Sequence, residues 1–233
     1  MVGTTDEEVK SMRDAFGEAL VELGQHNPDV VVLDADLAHS TRTALFAREF
    51  PDRFLNVGIA ECNMVSIGAG LATAGVIPFV STFSFLLTLR AGEQVRTGIA
   101  YPKLNVKLCG AYAGLSDSYD GATHQDVMDL AVMRAMPNMV VVAPADDLQT
   151  RKAVFAAAER TGPVYLRLSR AEAPRTTSED APFEIGKAQV LREGSDVALI
   201  STGTTLHLAL DAADKLGEGG THARVINMHT IKP

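Results

Sequence analysis

Two hydrophobic periods alternate along most of this chain. Between residues 12 and 23, apolar side chains recur at three- and four-residue steps, and Thr5 is a candidate cap, so the pattern predicts an amphipathic helix over residues 6–26. Residues 29–34, DVVVLD, follow as a continuous apolar run, which is typical of a strand buried on both faces of a parallel sheet.

The same alternation continues about six times, up to residue 168. It predicts an α/β fold in which a doubly wound parallel sheet carries helices on both faces. The further strands are predicted near residues 54–57, 77–81, 106–110, 140–143 and 164–168, and the further helices near 41–50, 64–74, 84–99, 126–133 and 146–160.

The composition changes after the last of these strands. Residues 170–183 contain two prolines, several small polar residues and mixed charge, which is typical of a linker. Beyond them the pattern predicts strands over residues 186–192, 197–201 and 223–228 and a helix over 204–216. We therefore predict a first domain over residues 1–170, a linker over 171–184 and the start of a second α/β domain over 185–233.

The bulk composition narrows the function classes. The chain has 233 residues, 46% of them hydrophobic, a formal net charge of −8 and a pI near 5.2. Nucleic-acid binding and a membrane-surface role both favour a basic patch, so we expect small-molecule or protein partners. No apolar run approaches the roughly 18 residues of a membrane span, and Cys62 and Cys109 form no disulfide or zinc pattern. We predict a cytoplasmic protein without a metal site of its own.

Glu61 is the first candidate for chemistry. It is the one carboxylate in residues 56–74, NVGIAECNMVSIGAGLATA, and burial among apolar side chains disfavours the charged form of a carboxylate. Such a group can hold or release a proton. The alternative is a glutamate at a helix N-terminus, where its charge suits the helix dipole.

Further polar and aromatic candidates follow predicted strands, where α/β sheets bind ligands. Each also has a structural explanation. An aromatic side chain after a strand is often a core residue, Asp120 precedes Gly121 as in a turn, and an arginine that opens a linker is often solvated. The candidates are Ser40, Phe83, Asp120, His124 and Arg170.

Four ordered motifs carry a resemblance to a known family. They are residues 56–64 (NVGIAECNM), 81–83 (STF), 120–125 (DGATHQ) followed by 133–146 (MRAMPNMVVVAPAD), and 166–170 (LRLSR). Together they resemble the pyrimidine-binding domain of the transketolase family, whose members are thiamine-diphosphate enzymes. The resemblance covers essentially residues 10–233, and the part after residue 187 resembles the beginning of the family's C-terminal domain.

The resemblance implies roles for residues around the cofactor. Glu61 matches the glutamate that hydrogen-bonds the aminopyrimidine ring and promotes the tautomer that deprotonates the thiazolium carbon. Phe83 lies where the family lines the pyrimidine pocket, and so does Leu86, where relatives often carry an aromatic side chain. Glu61 is thus implied to be both catalytic and cofactor-binding.

The resemblance also implies roles around the substrate. Asp120 and His124 resemble residues that contact the sugar hydroxyls or the reacting carbonyl, which makes His124 the second catalytic candidate. Ser40 and Arg170 match positions that meet the phosphate of a sugar phosphate.

The chain departs from the family in two places. Cys62 stands where relatives have a glutamine after the catalytic glutamate. Tyr112 stands near a histidine or arginine that helps to hold the substrate phosphate in relatives, and the loop SDSYDG is about one residue longer than usual. The resemblance therefore implies a specialised transketolase with a non-standard donor or acceptor sugar.

The family binds diphosphate and magnesium through a GDG-containing motif, and no GDG occurs in this sequence. We therefore expect a split enzyme in which a second chain, an N-terminal diphosphate-binding transketolase subunit, holds most of the thiamine diphosphate and the Mg²⁺. Because the family's cofactor sites lie between subunits, the expected assembly is a heterotetramer that also contains a contact between two copies of this chain.

The function that the resemblance implies is transfer of a two-carbon ketol unit between sugars, which are sugar phosphates or a non-standard analogue, through thiamine diphosphate. One alternative is half of an enzyme similar to 1-deoxyxylulose-5-phosphate synthase, which would consume pyruvate. A 2-oxo acid dehydrogenase β subunit fits less well, because DGATHQ resembles the transketolase form of its loop. Another alternative is a non-catalytic α/β partner subunit that retains the fold without the chemistry.

Overall fold

The start of the chain differs from the prediction. The computed structural model describes residues 9–117 and 119–233, so Thr5 and the first residues of the predicted helix lie outside the described part. Helix α1 (Met12–His26) begins after Ser11, whose hydroxyl accepts a hydrogen bond from the backbone N–H of Asp14 at 3.4 Å. A short strand, β1 (Val9–Lys10), precedes this cap.

A sheet of seven strands forms the centre of the fold. Its strands are β2 (Val30–Asp34), β3 (Phe54–Asn56), β4 (Ile77–Phe83), β5 (Lys107–Ala111), β6 (Val140–Val142), β7 (Val164–Arg167) and β12 (Thr230–Lys232). They lie in the order β12-β6-β7-β5-β4-β2-β3, and all neighbours are parallel except β12, which is antiparallel to β6. The α/β architecture is as predicted.

Successive side chains of the central strands enter two different cores. Val32 packs in one hydrophobic cluster and Leu33 in the other, and the same holds for Phe79 and Val80. This is why these strands read as continuous apolar runs. Helices α1, α3 (Ala44–Glu49) and α6 (Asp147–Glu159) cover one face, and α4 (Glu61–Thr73) and α5 (Asp129–Ala135) cover the other.

Two predicted helices have a different form. In place of the helix predicted over residues 41–50, the chain forms two short helices, α2 (Ala38–Thr41) and α3. They are separated at Arg42, whose φ is 68°. The buried carboxylate of Asp34 fixes this turn, because it accepts hydrogen bonds from the hydroxyls of Thr41 and Thr43 at 2.8 and 2.9 Å. Residues 84–99 form two π-helical segments, Leu86–Arg90 and Gln94–Ala100, in place of one α-helix.

The predicted linker lies against the first domain. Its short strand, β8 (Ala173–Pro174), pairs with β1. The buried side chain of Asp146 accepts hydrogen bonds from the backbone N–H groups of Thr176 and Thr177 at 2.8 and 2.7 Å. These contacts attach the linker to the N-terminus of α6.

The remaining residues form a small second layer. Strands β9 (Gln189–Arg192), β10 (Val197–Ser201) and β11 (Ala223–Asn227) pair in the order β10-β11-β9, and α7 (Leu206–Glu218) packs on one face. The chain then adds β12 to the edge of the large sheet. Within residues 9–117 and 119–233, no helix is long and apolar enough to cross a membrane.

Candidate functional site

A pocket of about 360 Å³ opens where β2 and β4 end, at the carboxyl edge of the large sheet. It brings together four residues singled out from the sequence, Glu61, Phe83, Leu86 and His124. The other side chains in its wall are those of Ala35, Asp36, Leu37, Ile59, Phe85, Arg90 and Thr123.

Glu61 is both the first residue of α4 and a buried group, with 1% of its surface exposed. The two interpretations of this residue from the sequence therefore hold together. The carboxylate is not isolated among apolar side chains, however. The Nη1 atom of Arg90 donates a hydrogen bond to Glu61 Oε2 at 2.9 Å, and the side chain of Arg90 is 53% exposed at the lip of the pocket.

Aromatic rings form the opposite wall. Phe83 is the last residue of β4, and its ring centroid lies 5.7 Å from that of His124, edge to face. The ring of Phe85 lies 5.5 Å from the same imidazole in a similar orientation. Gly121, with φ of 78°, precedes the short 3₁₀ turn Ala122–His124, and this left-handed conformation favours glycine. The turn places His124 over the pocket.

The other substrate candidates lie outside the pocket. Arg13 Nη1 donates to the carbonyl oxygen of Ser40 at 3.0 Å and to the hydroxyl of Tyr112 at 2.8 Å. The guanidinium of Arg170 lies 5.4 Å from the centre of the Tyr112 ring, and its Nε lies 3.4 Å from Asp117 Oδ1. We call Arg13, Ser40, Tyr112, Asp117 and Arg170 the outer cluster.

The outer cluster touches the pocket through an aromatic contact. The rings of Tyr112 and Phe83 have their centroids 4.2 Å apart. Asp117 is fully buried beside Arg170. Burial raises the pKa of the Asp117 carboxyl, the neighbouring Asp120 raises it further, and the charge of Arg170 opposes both. Asp120 itself lies on the exposed loop next to the cluster.

The sequence did not indicate Arg13 or Arg90 as site residues. Each is a single basic residue in a helical pattern, and its contact is distant in the sequence. Arg13 reaches Tyr112 across 99 positions, and Arg90 reaches Glu61 across 29. Leu86 and Arg90 stand at the two ends of one π-helical segment, a form that the hydrophobic period did not reveal.

Comparisons with known proteins match almost the whole chain. The family description "Transketolase, pyrimidine binding domain" matches residues 8–176, and "Transketolase, C-terminal domain" matches residues 186–233. The chain belongs to the transketolase family. It matches the family's pyrimidine-binding and C-terminal domain descriptions, so the expected fold and the resemblance are confirmed.

Two similar relatives are described as parts of transketolases. The "Putative transketolase C-terminal section" of Methanocaldococcus jannaschii is 49% identical over 226 residues, covering 96% of this chain and 72% of the relative. The "6-deoxy-6-sulfo-D-fructose transketolase subunit SqwH" of Clostridium sp. is 40% identical over 222 residues, covering 95% of this chain and 69% of the relative. By contrast, the chain spans 36% of human transketolase.

A solved structure is similar over the same region. The "Split gene transketolase, inactive beta4 tetramer" superimposes with a TM-score of 0.87 at 50% identity, covering 94% of this chain and 71% of that one. The family depends on thiamine diphosphate, and the pocket fits the aminopyrimidine ring, because it offers one buried carboxylate among aromatic and aliphatic side chains. Among the described residues, no group of three His, Cys, Asp or Glu side chains could hold a metal ion.

Proposed function

We propose that this chain is the pyrimidine-binding subunit of a transketolase built from two different chains, which transfers a two-carbon ketol unit between sugars. The observation that carries the proposal is the position of Glu61, buried at the end of an aromatic pocket on the ligand-binding edge of the sheet. The similar relatives described as a section or subunit support the two-chain organisation.

The residues of the pocket have different roles in this proposal. Glu61 would hold the aminopyrimidine ring and exchange a proton with it, while Phe83 and Leu86 would pack on the faces of the ring. When bound, thiamine diphosphate supplies the carbon nucleophile that takes up and releases the ketol unit. His124, on the opposite wall, would move a proton at the oxygen of the reacting carbonyl.

The partner subunit would hold the diphosphate and the Mg²⁺. Exposed apolar side chains near the pocket favour an interface there, because such a surface is costly to leave in water. We infer a heterotetramer of two copies of each chain, in the cytoplasm. The exposed apolar residues are Ile59, Leu89, Leu115, Tyr119, Val127 and Met128.

The outer cluster favours a sugar that is not an ordinary pentose phosphate. It contains two arginines, but Arg13 already donates to Tyr112 and Ser40, and Arg170 lies beside the carboxylate of Asp117. The net positive charge offered to a ligand is therefore small. We infer a sugar whose far end carries one negative charge or none, since a phosphate dianion requires more cationic partners.

The test is reconstitution of the complete enzyme. This chain would be co-expressed with the diphosphate-binding transketolase subunit of the same genome, and ketol transfer would be measured with thiamine diphosphate and Mg²⁺ over a panel of neutral, sulfonated and phosphorylated sugars. We expect transfer only with both chains. Full activity of this chain alone would contradict the two-chain proposal, and pyruvate consumption without ketol transfer would favour the synthase alternative.

A further inference from the structure

Arg90 is the only arginine or lysine among the described residues that line the pocket. Its Nη1 atom donates to Glu61 Oε2 at 2.9 Å, which gives this buried carboxylate a charged hydrogen-bond donor. Such charge-assisted hydrogen bonds are shorter and stronger than neutral ones. They fix the orientation of the carboxylate.

The backbone of Arg90 is attached to the same helix end. Its carbonyl oxygen accepts a hydrogen bond from the Sγ of Cys62, the residue after Glu61, at 3.2 Å. The π-helical turn closes just beyond, where the N–H of Ala91 donates to the carbonyl oxygen of Leu86 at 2.9 Å. Arg90 is thus held against the first turn of α4 by its backbone and by its side chain. The wide turn brings Leu86 and Arg90 into one pocket wall.

The ion pair leaves the two carboxylate oxygens in different situations. Oε2 accepts from Arg90, whereas no N–H or O–H of the described residues donates to Oε1. A ligand that donates a hydrogen bond to Glu61 therefore meets a carboxylate with one oxygen already fixed. The other ionisable side chains in the wall are those of Asp36 and His124, and neither has a hydrogen bond to Glu61.

We propose that Arg90 is a positioning residue for Glu61: it holds Oε2 and leaves Oε1 as the carboxylate oxygen that meets the bound cofactor. The proposal rests on the proposed function, because it takes the cofactor ring to be the ligand. Without the charged donor of Arg90, the Glu61 side chain would lose the contact that selects one orientation in the pocket. The guanidinium is partly screened by water because the side chain is 53% exposed, which limits the effect to a moderate one.

The test uses the two-chain holoenzyme and the variants Arg90→Gln and Arg90→Lys. We expect Arg90→Gln to lower ketol transfer about 10- to 100-fold, the usual effect of losing a hydrogen bond to a charged group. We also expect its apparent Kd for thiamine diphosphate, measured by equilibrium dialysis of the two-chain complex, to rise about 10-fold, because the carboxylate that meets the cofactor is no longer held in one orientation. Arg90→Lys keeps a charged donor at the site, so its Kd should stay near that of the wild type.

Arg96→Gln is the matched control. Arg96 belongs to the next π-helical segment and pairs with exposed Glu93 at 2.9 Å, away from the pocket. It should change neither the rate nor the affinity for thiamine diphosphate. An Arg90→Gln enzyme with the wild-type Kd for thiamine diphosphate, or an Arg90→Lys enzyme that behaves like Arg90→Gln, would overturn the proposal. Circular dichroism and the elution volume of the complex verify that each variant folds and assembles.

The variant Glu61→Gln separates this inference from the proposed function. If Glu61→Gln is inactive while Arg90→Gln matches the wild type, only the role of Arg90 fails. If Glu61→Gln is fully active, the proposed function itself fails. Both outcomes are read from one set of complexes under one assay.

Discussion

The pocket and the outer cluster differ in the number and balance of their charged side chains. The pocket holds one buried carboxylate, Glu61, with the guanidinium of Arg90 at its lip, and most of its other side chains are aromatic or aliphatic. The outer cluster holds two arginines and the buried carboxylate of Asp117, so its charges largely compensate one another. The first arrangement suits an uncharged ring that exchanges one proton. The second suits a polar substrate of low charge.

An aromatic contact joins these two regions. Tyr112 packs on Phe83 of the pocket and accepts a hydrogen bond from Arg13 of the outer cluster. The two regions can therefore be tested separately, by substitutions that alter one without entering the other. The expected effects decrease from the pocket outwards.

The largest effect is expected for Glu61→Gln. The amide cannot exchange a proton with the cofactor ring, so we expect kcat of the two-chain enzyme to fall about 1,000-fold, within the usual range for proton transfer. The complex should still assemble, because the substitution preserves shape. Size-exclusion chromatography and a ketol-transfer assay measure the two outcomes. Glu93→Gln, at an exposed glutamate, is the control, and an equal loss in both variants would contradict the assignment.

His124→Gln should have the next largest effect. Loss of the imidazole removes a group placed to move protons at the substrate, and we expect kcat to fall about 100-fold. The apparent affinity for thiamine diphosphate should change little, since Glu61 and Phe83 remain. His39→Gln provides a control at an exposed histidine outside the pocket. A His124→Gln enzyme that loses affinity for thiamine diphosphate but retains kcat would mean that His124 binds the cofactor and does not act on the substrate.

Tyr112→His should change preference more than rate. Histidine adds a cation between Arg13 and Arg170 when protonated, and it tolerates the φ of 60° found at this position. We expect the ratio of kcat/KM for a phosphorylated sugar to that for its neutral analogue to rise about 10-fold at pH 6. Tyr119→His is the control, because Tyr119 also lies beside Arg170, at 5.2 Å, but is 85% exposed. An unchanged ratio would mean that the outer cluster does not determine the preference for charged or neutral sugars.

The sheet was predictable because its signal is local. Strands such as β2 and β6 are buried on both faces, and each residue of the run reports that burial directly. The π-helical segments were not predictable in this way. Thr88 Oγ1 donates to the buried carboxylate of Asp126 at 2.8 Å, across 38 positions, and no local period records such a contact.

The same distinction between local signals and long-range contacts applies to the residues of the site. Phe83 ends a strand, and Glu61 and His124 lie in segments that follow strands, so the α/β topology alone predicts that they meet at one edge. Arg90 belongs to the segment whose form was predicted wrongly, and Arg13 belongs to α1, which packs on the face of the sheet opposite to α4. Their contacts depend on how whole elements pack, which hydrophobic periodicity does not specify.

The smallest effect is expected at Asp117, and it concerns stability. The folded state raises the pKa of this carboxyl, first through burial and then through Asp120. The folded chain therefore binds the proton more tightly than the unfolded chain, and stability falls as the pH rises through the raised value. Asparagine cannot ionise, so Asp117→Asn should gain stability relative to the wild type between pH 4 and pH 7. We expect a gain below about 1 kcal/mol, because the exposed part of Arg170 already offsets some of the cost.

Urea unfolding of both proteins at the two pH values measures this difference. The exposed Asp52→Asn variant controls for the loss of one negative charge from a chain whose net charge is −8. A difference that is the same at both pH values would mean that Asp117 ionises as easily in the folded chain as in the unfolded one. The ionised carboxylate of Asp117 would then balance the charge of Arg170 without lowering the stability of the fold. The net charge of the outer cluster would be closer to zero than the raised pKa of Asp117 implies.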